Sequence, residues 1–188
     1  MRETHIRALT SELNIAAGES FILYLGSANP EFPYVINNFP ILPVLSYVRD
    51  LGYNLAPDLK HGIHCKLLFS RAMARAFMLF RRLRSNDVSI LLKTYTTYIR
   101  PLLESNTAVF NPYLKRDIKL LERVQNYCTR KIIYRCFPDF RYPATMPDST
   151  YRNRLLGLQS LALRRKLYGL TLCFKIMNNM TAIDPHHG

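Results

Sequence analysis

Apolar side chains recur with the period of an α-helix over three separate stretches, and this constrains the chain more than any other feature. In residues 112–132, Leu114, Ile118, Leu121, Val124, Cys128 and Ile132 share one face. Asn111 is suited to cap that helix, and Pro112 to its first position, where a missing N–H costs nothing. In residues 66–84, Phe69, Ala72, Met73, Ala76, Phe80 and Leu83 fall between about 100° and 200° on a wheel measured from Arg71, with Leu67 and Met78 intruding opposite. Ser160 is placed to cap a third helix, whose Leu163, Leu167, Leu170, Phe174 and Met177 repeat at helical spacing and read as core packing. Residues 88–100 read as a further helix, capped by Ser85 or Asp87 and kinked or ended by Pro101. Upstream, Pro30, Pro33, Pro40 and Pro43 punctuate two short apolar runs on either side of Asn37-Asn38, which marks a hairpin or edge-strand region. Pro138, Pro143 and Pro147 lie among aromatics and mark a loop. The class implied is mainly α, a helical bundle preceded by a small β hairpin.

Charge is concentrated in the helical part. The 188 residues carry a net +13, yet residues 1–59 hold three basic and six acidic side chains. Residues 60–136 hold sixteen basic and four acidic, a net of +12, and residues 137–188 seven and three. A block of one sign points to a surface for a polyanion rather than to solubility alone. On the first helix Arg71, Arg75 and Arg82 cluster within about 40°; on the second Arg116, Lys119, Arg123 and Arg130 lie within about 60° on the side away from the apolar stripe. Arg164 and Arg165, with Lys166, fall in the first turn of the third, where cations oppose the helix dipole and an external anion would relieve them.

Catalytic constellations are missing from the pattern. No two Asp residues are adjacent, and the carboxylates are scattered, whereas two-metal nucleotidyl transfer needs acids converging on both ions. There is no glycine-rich phosphate loop, no GxSxG and no HExxH. The four cysteines form no CxxC, and His61, His64 and Cys65 lack a fourth ligand and supporting acids. No catalytic residue, metal or cofactor is therefore expected. No run of 18 apolar residues and no secretory leader pattern is present, which sets the expectation of no membrane partner and an intracellular location.

Several short motifs succeed one another with kept spacing across residues 34–178. They are Val48-Arg49-Asp50-Leu51-Gly52-Tyr53 followed by Leu59, His64 and Arg71-Ala72; Leu92 to Glu104, with Tyr98-Ile99-Arg100-Pro101 at its centre; Val109-Phe110-Asn111-Pro112; Asp117-Ile118 with Leu121-Glu122-Arg123-Val124-Gln125; Thr129-Arg130-Lys131-Ile132; and Tyr151, Arg154-Leu155 with Arg164-Arg165. In this order they resemble the segment after the palm in reverse transcriptases of LINE-type non-LTR retrotransposons of a jockey-like clade. Phe110 stands where that family has Trp, and Ser105 where it has Tyr. The catalytic palm with its paired Asp would precede Met1.

The resemblance implies a division into an unplaced segment (1–33), a small β primer-grip-like region (34–59) centred on a strand around Leu51 and Gly52, a basic helical thumb-like region (60–136), and a loop with C-terminal helices (137–188). It implies a chain that is not itself an enzyme. Its partners would be an RNA–DNA or DNA duplex, held through phosphates without sequence readout, and a missing palm domain. The nine cations Arg71, Arg75, Arg82, Arg116, Lys119, Arg123, Arg130, Arg164 and Arg165 are the expected contacts. Two other readings stay open: a small basic helical structural protein binding RNA or an acidic protein partner, and a decayed element fragment with no selected activity.

Overall fold

The structure is a computed structural model that describes residues 20–26, 28–36, 39–41, 43, 46–141 and 143–181. The chain divides into two compact units, Met1–Lys60 and His61–Gly188. The protein is mainly helical, with antiparallel β hairpins preceding the helices.

The first unit holds two hairpins. Strands β1 (Val35–Ile36) and β2 (Phe39–Pro40) pair Val35 with Pro40 and Ile36 with Phe39. The expected turn residues Asn37-Asn38 and the apolar Leu42 lie outside the described residues. Strands β3 (Val48–Asp50) and β4 (Tyr53–Leu55) pair with the register Val48–Leu55, Arg49–Asn54 and Asp50–Tyr53. This places Leu51-Gly52 in the two-residue turn, a correction to the strand expected there. Both residues have positive φ, 43° for Leu51 and 86° for Gly52, the geometry that suits the right-handed twist of flanking strands. Gly52 adopts it freely; Leu51 does so at a steric cost, and its side chain stands 95% exposed at the tip.

The second unit is built on two long helices, α1 (Gly62–Arg82) and, further along, α4 (Lys115–Cys136). They lie side by side and run the same way. The Cβ position of Gly62 comes within 3.4 Å of the Arg116 guanidinium, Phe69 lies under Arg123, and the far end of α1 meets Arg135. Cys65, Leu68, Ala72, Ala76 and Phe80 of α1 are buried against Leu121, Val124, Cys128, Ile132 and Ile133 of α4, the small residues permitting close approach. Arg135 closes the pair. It donates to the carbonyls of Leu83 (2.6 Å) and Phe80 and stacks over the Phe80 ring, a cation where the helix dipole is negative.

Between them, Asp87 caps α2 (Val88–Thr94) by accepting from the Ser89 N–H at 2.7 Å, while Ser85 accepts from the Asp87 N–H. Pro101 does not end the helical run. The chain widens into a π segment at Tyr95–Ile99, in which the Arg100 N–H reaches back five residues to the Tyr95 carbonyl, and then continues as α3 (Arg100–Glu104). A π turn beside a proline absorbs the missing N–H and the clash with the preceding turn. The start expected for α4 is also corrected. Asn111 and Pro112 precede it in a loop, because Phe110 and Pro112 are buried and Phe110 packs edge-on against His64 (4.6 Å) and His61 (5.1 Å). Asp148 caps α5 (Ser149–Leu155), and Gly157, at φ 63°, turns the chain out of it.

Helix α6 (Leu161–Met177) begins where expected. Ser160 accepts from the Leu163 N–H, and the Glu122 carboxylate accepts from the Ala162 N–H at 2.9 Å. Its apolar stripe, however, faces outward, and the buried residues of the helix are Leu161 and Arg165.

A buried polar spine joins these helices. The Tyr95 hydroxyl donates to Gln125 Oε1 (2.7 Å), and Gln125 Nε2 donates to Asn153 Oδ1 (3.2 Å) and the Gln159 carbonyl (3.0 Å). Arg152, also buried, donates to Thr129 Oγ1 (3.2 Å) and the Pro147 carbonyl. The acid and amide positions of the Asp117–Gln125 motif therefore serve the fold: Asp117 is buried in the first turn of α4, Glu122 caps α6, and Gln125 sits in the spine.

Candidate nucleic-acid interface

The outward side of α4 is a ridge. Arg116, Lys119 and Arg123 are exposed and Arg130 half-buried, and Tyr127 and Tyr134 fall on the same side of the wheel. The two acids of the helix are withdrawn from it, Asp117 by burial and Glu122 by its bond to α6. From Arg116 to Arg130 the ridge runs fourteen residues, about 21 Å at 1.5 Å per residue, the length of about six base-pair steps of a duplex.

Aromatic rings and the helix backbone position several of its cations. Arg123 lies over the Phe69 ring at 5.4 Å, and Lys131 over the Tyr127 ring at 5.8 Å. Tyr127 itself rests on Phe77, with centroids 5.0 Å apart. Arg130 Nε donates to the Asn126 carbonyl one turn back. Arg116 Nε lies 3.5 Å from the buried Asp117 carboxylate.

Two clefts flank the ridge. One, of about 460 Å³, is lined by Phe69, Met73, Arg123, Tyr127 and Arg130 together with the 143–149 segment. The other, of about 480 Å³, is lined by Tyr127, Arg130, Lys131, Tyr134 and Met146. They share Tyr127, Arg130 and Met146, so the ridge has a basic, aromatic-walled trough along the second half of α4.

The nine expected cations thus part into three groups. Arg116, Lys119, Arg123 and Arg130 form the ridge. Arg71, Arg75 and Arg82 are exposed on α1, on the flank about 180° from the Phe69, Met73 and Phe77 side that meets α4, so they make a separate stripe. Arg164 and Arg165 correct the expectation of two more surface contacts. Arg164 forms a two-pronged pair with Glu104, which also lies 3.8 Å from Arg100. Arg165 is 2% exposed, donates to the Leu103 carbonyl and stacks over the Phe110 ring at 5.6 Å. Both tie α6 to α3 and its following loop. Leu51 and Gly52 belong to the first unit, at the tip of its second hairpin.

Tyr127, Tyr134 and Met146 were not singled out in the sequence, and Lys131 was named only within the Thr129–Ile132 motif. The tyrosines stand four and eleven residues beyond Arg123, on the cationic side of the same wheel, and that spacing was the available signal. Met146 reaches the ridge only through the fold of the loop.

Burial governs the titrating groups of the second unit. His64 is fully buried, and desolvation, with the nearby charges of His61, Arg165 and Arg71, lowers its pKa to about 4. Burial and the Asp117 carboxylate push the Cys65 thiol up to about 12, and burial raises Cys128 as well. Among the described residues no group of three or more His, Cys, Asp or Glu side chains converges as a metal site would require, and no helix is long and apolar enough to cross a membrane.

Fold and surface together define a mainly α protein with a one-sign cationic ridge on α4. No family model matches the chain, and no solved structure matches it. It is similar to an uncharacterized protein of Caenorhabditis elegans, 35% identical over 97 residues, which make up 52% of this chain and 49% of that protein. The chain thus spans about half the length of that relative.

Proposed function

We propose that the second unit binds nucleic acid through its phosphates, as the thumb-like, non-catalytic part of a LINE-type reverse transcriptase. The observation that carries this reading is the α4 ridge, with four cations along about 21 Å, two tyrosines on the same side of the helix and no exposed carboxylate on it. Cations on one line of a helix match a regular array of phosphates. Tyrosine faces beside them offer stacking surfaces that tolerate any base, and neither device reads sequence. The motif succession through Thr129-Arg130-Lys131-Ile132 supports placing the ridge in a reverse-transcriptase thumb, and the first unit's Leu51-Gly52 turn in the adjoining primer-grip-like region.

The test is fluorescence anisotropy with labelled DNA duplexes and RNA–DNA hybrids of two unrelated sequences, titrated between 50 and 300 mM salt. Four phosphate contacts give a log K against log salt slope of roughly −3.6 on DNA, alike for both sequences. A folded protein that binds neither duplex at the lowest salt, or binds with a slope shallower than about −1, refutes the reading.

A further inference from the structure

Helix α6 presents an exposed apolar seam. Leu163, Leu167, Leu170, Phe174 and Met177 are between 44 and 77% exposed, while the helix is anchored at its start by Leu161, Arg165, the Arg164–Glu104 pair and the caps from Ser160 and Glu122. The intervals are four, three, four and three, a mean of 3.5, which is the repeat of a seam that meets another helix knobs-into-holes. An extended strand would need a period of two, and a flat protein surface would impose no period. By side-chain size the seam exposes on the order of 500 Å² of apolar surface, above what isolated surface leucines present and below one side of a standard globular interface. That suits a single docked helix.

Charge selects among helices. Helix α6 carries no acidic residue; Arg164 is paired with Glu104 and Arg165 is buried, so the charges it leaves exposed are those of Lys166 and Lys175, both positive. Lys166 borders the seam directly. A second copy would bring another helix of the same sign, on another chain of net +13, against this one. We therefore infer that the α6 seam is a docking site for an acidic amphipathic helix, about five turns long, with leucine-type residues at 3.5-residue spacing and Glu or Asp on their flanks.

The probe is a fluorescein-labelled 21-residue peptide of three heptads with Leu at the seam positions and Glu at the flanks, compared with the same peptide carrying Lys for Glu. Anisotropy should show micromolar binding of the acidic peptide to the full chain and at least tenfold weaker binding of the basic one. Leu170→Asn with Phe174→Asn, both on the exposed side, should weaken the acidic peptide at least tenfold while far-UV circular dichroism and duplex binding stay unchanged. Lys119→Gln with Arg123→Gln on α4 should leave peptide affinity unchanged, which separates this site from the nucleic-acid ridge. The inference is overturned if the folded chain fails to bind the acidic peptide at 100 μM, or if the Leu170/Phe174 variant binds it as tightly as wild type. A reversible dimer in sedimentation at tens of micromolar, abolished by that variant, also overturns it, because the occupant is then a second copy.

Discussion

Replacing Gln125 with Leu should destabilise the helical unit by about 3 kcal/mol, and the size of the effect follows from where its three hydrogen bonds go. The substitution removes the acceptor of the Tyr95 hydroxyl (2.7 Å) and the donor to Asn153 Oδ1 and the Gln159 carbonyl. Tyr95 is fully buried, so its hydroxyl has no route to water, and leaving such a group unpaired costs roughly 1–3 kcal/mol. Burial also raises its pKa, so it stays a donor throughout the usable pH range. Asn153 and Gln159 are less buried and regain water, adding about 1 kcal/mol together. Tyr95→Phe alone leaves Gln125 Oε1 unpaired and should cost about 2 kcal/mol. The double variant leaves neither orphan, so its cost should fall short of the sum by about 1–2 kcal/mol. Urea unfolding followed by far-UV circular dichroism reads each value; with m near 2 kcal/mol/M, the Gln125→Leu midpoint should move down by about 1.5 M. Costs that add within about 0.5 kcal/mol refute the reasoning, since the two groups would then not be bonded partners.

Three further outcomes follow from other parts of the structure. Native His64 resists protonation until about pH 4 while the unfolded chain takes up the proton near 6.5, so stability should fall as pH drops through that window, by as much as about 3 kcal/mol; a urea midpoint that stays level from pH 7 to 4 contradicts this. Ellman's reagent at pH 7.5 should react rapidly with the exposed Cys173 and reach Cys65 and Cys128 only in denaturant, with mass mapping of the labelled thiol as the check. The chain with a primed template, dNTPs and Mg²⁺ should show no primer extension, because no set of acids converges to hold two ions among its described residues; incorporation above a heat-killed control overturns this.

Much of the architecture was legible in residue spacing, and the departures have local causes. The Ser160 cap could be read, and the other cap narrowed to Ser85 or Asp87, because each uses a short side chain on its own backbone, a purely local device. Asn111-Pro112 offered the same local signal and lost to a tertiary one, since burying Phe110 against His61 and His64 fixes the loop and delays α4 to Lys115. Pro101 was readable as a disturbance, but the π segment that absorbs it depends on Tyr95 and Ile99 both being held in the core. The α6 stripe shows the limit of periodicity. A 3.5 repeat says that one face is made for a partner helix, and it is silent on whether that partner lies in the same fold. On α4 the cationic side was visible as four like charges on one line, whereas the trough beside it depends on the 143–149 segment folding back across the helix.

The central claim is that the α4 ridge meets phosphates, and a salt titration of Lys119→Gln with Arg123→Gln against wild type tests it most directly. These two are the suitable pair because neither is tied to a carboxylate, whereas Arg116 is paired with buried Asp117, and Gln keeps helix propensity close to that of Lys and Arg. On two unrelated duplexes the slope of log K against log salt should flatten by about 2 and affinity should drop alike for both. An unchanged slope in a variant that remains folded would contradict the account, as would a loss confined to one of the two sequences.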